Sequence, residues 1–95
     1  MLEFEWDEAN EAHIARHGIA AKQAEAAVTI APREYAVSLA GDELRIAYVG
    51  PDGDGRLLFV IVTPRAGKLR VVTAYPARRE MRRFYREGRQ PNEES

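Results

Sequence analysis

Six consecutive apolar residues, Leu57-Leu58-Phe59-Val60-Ile61-Val62, place the strongest limit on the fold. A strand points successive side chains to opposite faces, so a run that is apolar at every position belongs in a strand covered on both sides. A chain of 95 residues builds one domain and one modest core around such a strand. The run is far too short to cross a bilayer. A hydrophobic content of 45% beside 31% charged residues is that of a globular protein. Residues 1–88 are therefore expected to form a single domain, and the polar stretch 89–95 a disordered tail.

The segments on either side supply layers for that strand. Leu2, Phe4 and Trp6 alternate with Glu3 and Glu5, the pattern of a short half-buried strand. Asp7 stands at an N-cap position before a helix that Gly18 ends. Asn10, His13, Ile14 and His17 share one face of it. A second helix fits Lys22 to Ile30, with Pro32 beyond its end and no Ser, Thr, Asp or Asn cap at its start. Strands follow over Tyr35–Leu39 and Leu44–Val49, joined by a turn at Gly41-Asp42. After the loop Pro51–Gly55 comes the apolar run, then a turn at Ala66-Gly67. In the last strand Leu69, Val71, Thr73 and Tyr75 alternate with Arg70, Val72 and Ala74. Pro76 is placed to open a final helix over Ala77–Arg86, which Gly88 ends. The order β-α-α-β-β-β-β-α, with short turns between the last four strands, predicts an α+β domain. An antiparallel sheet meander would carry two helices before it and one after.

Charge is segregated along this order. Residues 1–64 carry a net −6, and residues 65–89 hold nine basic side chains against Glu80 and Glu87. Such asymmetry suits a polyanion or an acidic partner at the C-terminal end, or else a solvated helix face. Arg45 and Arg70 sit mid-strand and Arg56 at the mouth of the central strand. Strand side chains have fixed directions, so these guanidinium groups can converge to clamp a phosphate. Alternatively, each stem covers apolar surface while its head pairs with a carboxylate such as Glu25 or Glu80. His13 and His17 can transfer protons or be two metal ligands in want of a third, or can be a half-buried hydrogen-bonding residue and a helix-terminal cap. On the final helix, Arg79, Arg82 and Arg83 can track a nucleic-acid backbone, with Phe84 or Tyr85 stacking on a base or docking the helix.

Other chemistries find no residues. The chain has no cysteine, hence no disulfide, thiolate nucleophile or cysteine zinc site. No H-E-x-x-H pattern or other metal set is present, and Ser38 and Ser95 have no triad context. No metal or cofactor is expected. The opening residues lack a basic segment followed by an apolar run, so a cytoplasmic protein without a signal peptide is expected.

Taken in order, the motifs resemble one family. Phe4-Glu5-Trp6-Asp7, Asn10, His13 and Arg16-His17-Gly18-Ile19 resemble the opening F-x-W-D…[KR]-H-G-[VI] of the BrnT toxins. Arg45…Gly50, Gly55-Arg56-Leu57-Leu58 and Thr63-x-Arg65 resemble its middle, and Arg70-Val71-Val72-Thr73-Ala74 with Glu80…Tyr85 its end. Two features depart from the pattern. Tyr75 stands where the family usually has a second arginine, and Glu80 and Tyr85 are one residue further apart.

The resemblance implies a RelE-like fold and a metal-independent ribonuclease that arrests translation. It implies a cognate BrnA-like antitoxin that neutralises the toxin and supplies the contacts to operator DNA, in a heterotetramer containing a toxin dimer. Catalytic roles are implied for His17, Arg56, Arg70, Glu80 and Tyr85. Arg56 and Arg70 would hold the scissile phosphate, His17 or Glu80 would move protons, and Tyr85 would position a base or the nucleophile. Arg45, Arg65, Arg79, Arg82 and Arg83 would contact RNA. Two other functions fit the same residues: an inactive toxin-like module that represses its operon with the antitoxin, and a generic RNA-binding face on a housekeeping protein.

Overall fold

A computed structural model describes residues 2–88. The expected disordered tail, 89–95, lies outside the described residues. The elements are β1 (Phe4–Glu5), α1 (Glu8–Ala15), α2 (Ala21–Thr29), β2 (Arg33–Ala40), β3 (Glu43–Pro51), β4 (Leu57–Arg65), β5 (Lys68–Pro76) and α3 (Arg79–Glu87). This is the α+β order that the sequence predicts. Among these helices none is long and apolar enough to cross a membrane.

Strands β2 to β5 form the expected antiparallel meander, and β1 joins its far edge. There Phe4 and Glu5 pair in parallel with Leu69 and Arg70, making the five-stranded sheet mixed. The apolar run lies within β4, which has neighbours on both sides and is covered on both faces. Leu58, Val60 and Val62 pack against Ile14, Ile19, Ala24, Ala27 and Val28 of the α1–α2 side. Leu57 and Phe59 pack on the other side with Ala77, Met81 and Phe84. The molecule is thus three layers: a helix pair, the sheet, and α3.

Local chemistry fixes where each helix begins and ends. Asp7 caps α1 reciprocally: its Oδ1 accepts from the Asn10 N–H at 3.1 Å, and its own N–H donates to Asn10 Oδ1 at 2.8 Å. Gly18, at φ 76°, closes the other end, and the Ile19 N–H reaches the Ile14 carbonyl at 3.2 Å. Helix α2 has no capping side chain before it. Gln23 reaches back from inside, its Oε1 accepting from the Ala20 N–H at 2.8 Å. Pro76 does not open α3. It ends β5 opposite Leu58, and the helix starts three residues later.

One irregularity changes which side chains share a face. The β4–β5 register shifts between Ile61 and Val62, leaving Val72 as an extra residue. Leu69, Val71 and Ala74 accordingly all enter the core beneath the helix pair. Thr73 and Tyr75, which strict alternation puts opposite Arg70, move to the Arg70 face.

Candidate functional site

On the α3 side of the sheet, the end remote from α3 is where charge collects. Arg45 on β3, Arg65 at the end of β4 and Arg70 on β5 line one cavity of about 330 Å³. Thr63, Glu43 and His13 also line it. The first turn of α1 approaches here because Asn10, buried, donates to the carbonyls of Glu5 at 3.0 Å and Val71 at 3.3 Å. His13, one turn further on, meets Thr73 Oγ1 through Nε2 at 3.1 Å.

Each cavity arginine has a carboxylate near it. Arg45 Nε is 3.4 Å from Glu43 Oε2. Arg65 Nη1 is 3.7 Å from Glu5 Oε1, and Arg70 Nη1 is 3.5 Å from the same oxygen. Arg70 also grips Asp7 at two points, Nη1 to Oδ2 at 2.9 Å and Nη2 to Oδ1 at 3.2 Å. The hydrogen bond with Arg70, then the N–H of Asn10, holds the Asp7 carboxyl below its ordinary range against a smaller desolvation effect. The same bond with Asp7 raises Arg70 further. Exposed pairs such as Arg45–Glu43 are worth about 0–1 kcal/mol. A phosphodiester bridging two of these guanidinium groups therefore competes well with Glu43 for Arg45. Arg70 is 17% exposed and doubly paired, so it is fixed in place before any ligand arrives.

The other residues singled out in the sequence lie elsewhere. Arg56 precedes β4 and pairs with Asp52, Nε to Oδ2 at 3.3 Å. Seven residues of strand put it on the order of 20 Å from Thr63. Burial would raise Asp52, but the N–H groups of Asp54 and Arg56 and the Arg56 guanidinium outweigh it and hold the carboxyl low. Glu80 is exposed on α3, beside Arg79 and Arg83. Arg83 pairs with Glu87 at 3.3 Å, and Arg82 Nη1 donates to the Ala77 carbonyl at 2.6 Å. Tyr85 donates its hydroxyl to the Ala31 carbonyl at 2.7 Å, a bond that docks α3 against the α2–β2 connection. Helix α3 packs on β2 and β3.

His17 is exposed at the end of α1, its ring centroid 5.9 Å from that of His13 and 5.8 Å from that of Tyr75. Among the polar residues of the cavity, Thr63 and Glu43 have no role assigned in the sequence, and His13 is a proton-transfer candidate there but not one of the implied catalytic set. The shared helix face of Asn10, His13 and His17 was the signal for His13. Among the described residues no group of three or more His, Asp or Glu side chains is arranged to hold a metal ion.

A family model described as "Ribonuclease toxin, BrnT, of type II toxin-antitoxin system" matches residues 6–80. The matched span runs from Trp6 into the first turn of α3, so it contains every arginine of the cavity and excludes Tyr85. No curated protein matches the chain, and no solved structure does. With a match over most of its length, the chain belongs to the BrnT family of ribonuclease toxins of type II toxin–antitoxin systems.

Proposed function

We propose that this protein is a cytoplasmic endoribonuclease that cuts RNA to arrest translation, and that a BrnA-like antitoxin neutralises it. The observation that carries this reading is the meeting of Arg45, Arg65, Arg70 and His13 around one cavity, from three strands and a helix. Guanidinium groups held there bind the scissile phosphate and stabilise the charge that builds on its oxygens in the transition state. The RNA 2′-oxygen attacks phosphorus as the bond to the 5′-oxygen breaks. The proton of the 2′-hydroxyl passes to His13, and water at the open rim protonates the leaving oxygen. The products are a 2′,3′-cyclic phosphate and a 5′-hydroxyl. Positive charge comes from arginine, so the step needs no metal. His17 stands one ring beyond His13, towards solvent. Arg79, Arg82 and Arg83 lie on α3, outside the cavity lining, and offer a second basic surface to the RNA backbone. Contact with operator DNA is through the antitoxin, in a heterotetramer that contains two copies of this chain.

Incubation of the purified protein with RNA in excess EDTA tests this reading. Fragments ending in 2′,3′-cyclic phosphate are expected, and intact RNA contradicts it. A second reading, an inactive module that represses its operon together with the antitoxin, is favoured by one observation. Every cavity arginine lies within 4.0 Å of a carboxylate. Intact RNA, together with tight binding of antitoxin and operator, is its expected outcome.

A further inference from the structure

Beyond the cavity, rings from β5, β4 and the end of α1 gather around Tyr75, and the cleavage step does not use them. Tyr75 stacks on Phe59, its partner across the strands, at 5.1 Å and 28°. The exposed ring of His17 meets Tyr75 edge-on at 5.8 Å. The guanidinium of Arg78, exposed at the start of α3, lies over the Tyr75 ring at 5.1 Å. We propose that Tyr75, His17 and Arg78 form a subsite that takes a nucleobase of single-stranded RNA, inserted between the Tyr75 ring and the Arg78 guanidinium.

Direction along the sheet supports this assignment. The bulge at Val72 turns Tyr75 onto the face that carries Arg70. About four strand steps, roughly 13 Å, separate the two, a span that a few nucleotides of extended RNA cover. His13 links them, lining the cavity with Arg70 while its ring stands 5.9 Å from that of His17.

Chemistry supports it as well. Phe59 is buried and holds one face of Tyr75, so the phenol is set in place by packing. Arg78 makes no ion pair among the described residues, and its guanidinium lies over the ring. An exposed cation–π contact is worth about 0.5–1 kcal/mol. Stacking of a base on an aromatic ring is worth about 1–3 kcal/mol, and a guanidinium plane closes over the base's other face. Insertion of a base therefore gains more than displacement of Arg78 loses. Every base has a π-face, so the subsite favours single strands without demanding one sequence.

The inference rests on the cavity being the RNA site, and equilibrium binding separates the two. The probes are a 2′-O-methylated octauridylate, which 2′-attack cannot cleave, and an abasic octamer of equal charge, at fixed salt. Tyr75→Leu is expected to weaken octauridylate binding roughly ten- to a hundredfold and abasic binding less than about twofold. Tyr75→Phe is expected to bind as the parent does. Arg78→Ala, exposed and so with only a small folding cost, is expected to lose more on octauridylate than on the abasic octamer. Arg45→Ala is expected to weaken both probes alike. Equal losses on the two probes for Tyr75→Leu and Arg78→Ala, or no loss on either, would overturn the subsite. If only Arg45→Ala leaves both probes unaffected, the subsite stands and the cavity reading falls.

Discussion

Arg70 and Asp7 are joined by a two-point ion pair, Nη1 to Oδ2 at 2.9 Å and Nη2 to Oδ1 at 3.2 Å, so a guanidinium of the cavity also holds the N-cap of α1. The site and the N-terminal third of the fold therefore depend on the same charge. One consequence is a defined response to acid. The folded-state carboxyls of Asp7 and Asp52 both lie below the ordinary value of 3.8. A carboxyl lowered by folding contributes stability that is present above its unfolded value and lost as pH falls through the folded one. Stability is therefore expected to hold down to about pH 4 and to fall below it. Urea unfolding from pH 7 to pH 2.5 reads this directly. Asp7→Asn and Asp52→Asn should each flatten the acid limb, and an unchanged limb in both would contradict the assignment.

Asn10 is the polar tie between α1 and the sheet edge. It is 5% exposed and supplies donors to two backbone carbonyls, those of Glu5 and Val71. Asn10→Ala leaves both acceptors short of a partner and also removes the oxygen that receives the Asp7 N–H. A loss of about 2–3 kcal/mol is expected, seen as a lower urea midpoint with an unchanged slope. A change under 0.5 kcal/mol would mean that water replaces the side chain at no cost.

Gly50 is where α2 touches β3. A Cβ there would overlap the Ala27 carbonyl oxygen and lie 3.3 Å from the Ala27 Cα, so helix or strand must move. Because the obstacle is backbone, Gly50→Ala is expected to cost at least 2 kcal/mol, at the upper end of overpacking effects. Differential scanning calorimetry should show a fall in Tm of roughly 8 °C or more.

Strand β2 is the open edge of the sheet, with Val37 54% and Leu39 70% exposed. Both side chains lie mostly in solvent. Val37→Lys and Leu39→Lys are expected to change stability by less than about 0.5 kcal/mol each and to reduce self-association at high concentration. Sedimentation velocity, alongside thermal unfolding, checks both halves of that statement.

Legibility in the sequence followed the range of the interactions involved. The apolar run revealed β4 because burial on both faces leaves no polar position in it. Asp7 and Gly18 marked α1 because capping is local. Parallel pairing of Phe4–Glu5 with Leu69–Arg70 was invisible, since two residues carry no period and the partner lies more than sixty positions away. The bulge at Val72 was equally hidden. No glycine marks it, and alternation through Val71–Tyr75 reads as regular. That one residue decides whether Tyr75 faces the core or the cavity side. Arg45 and Arg70 could be picked as strand arginines, but whether they met depended on registers that only the folded sheet sets. Arg56 looked equivalent until its loop placed Asp52 against it. Tyr85 had both a docking and a functional reading, and its bond to the Ala31 carbonyl supplies the docking one.

The cleavage rate of Arg45→Ala on RNA tests the central claim most directly. Arg45 is 37% exposed and pairs only with Glu43 among the described residues, so its removal leaves the α1 cap and the β1 edge intact. Loss of one donor to a developing oxyanion lowers rates by about a hundred- to a thousandfold. The account predicts a loss of that size in a variant whose Tm stays within about 2 °C of the parent. Cleavage at the parent's rate by the folded variant would contradict it.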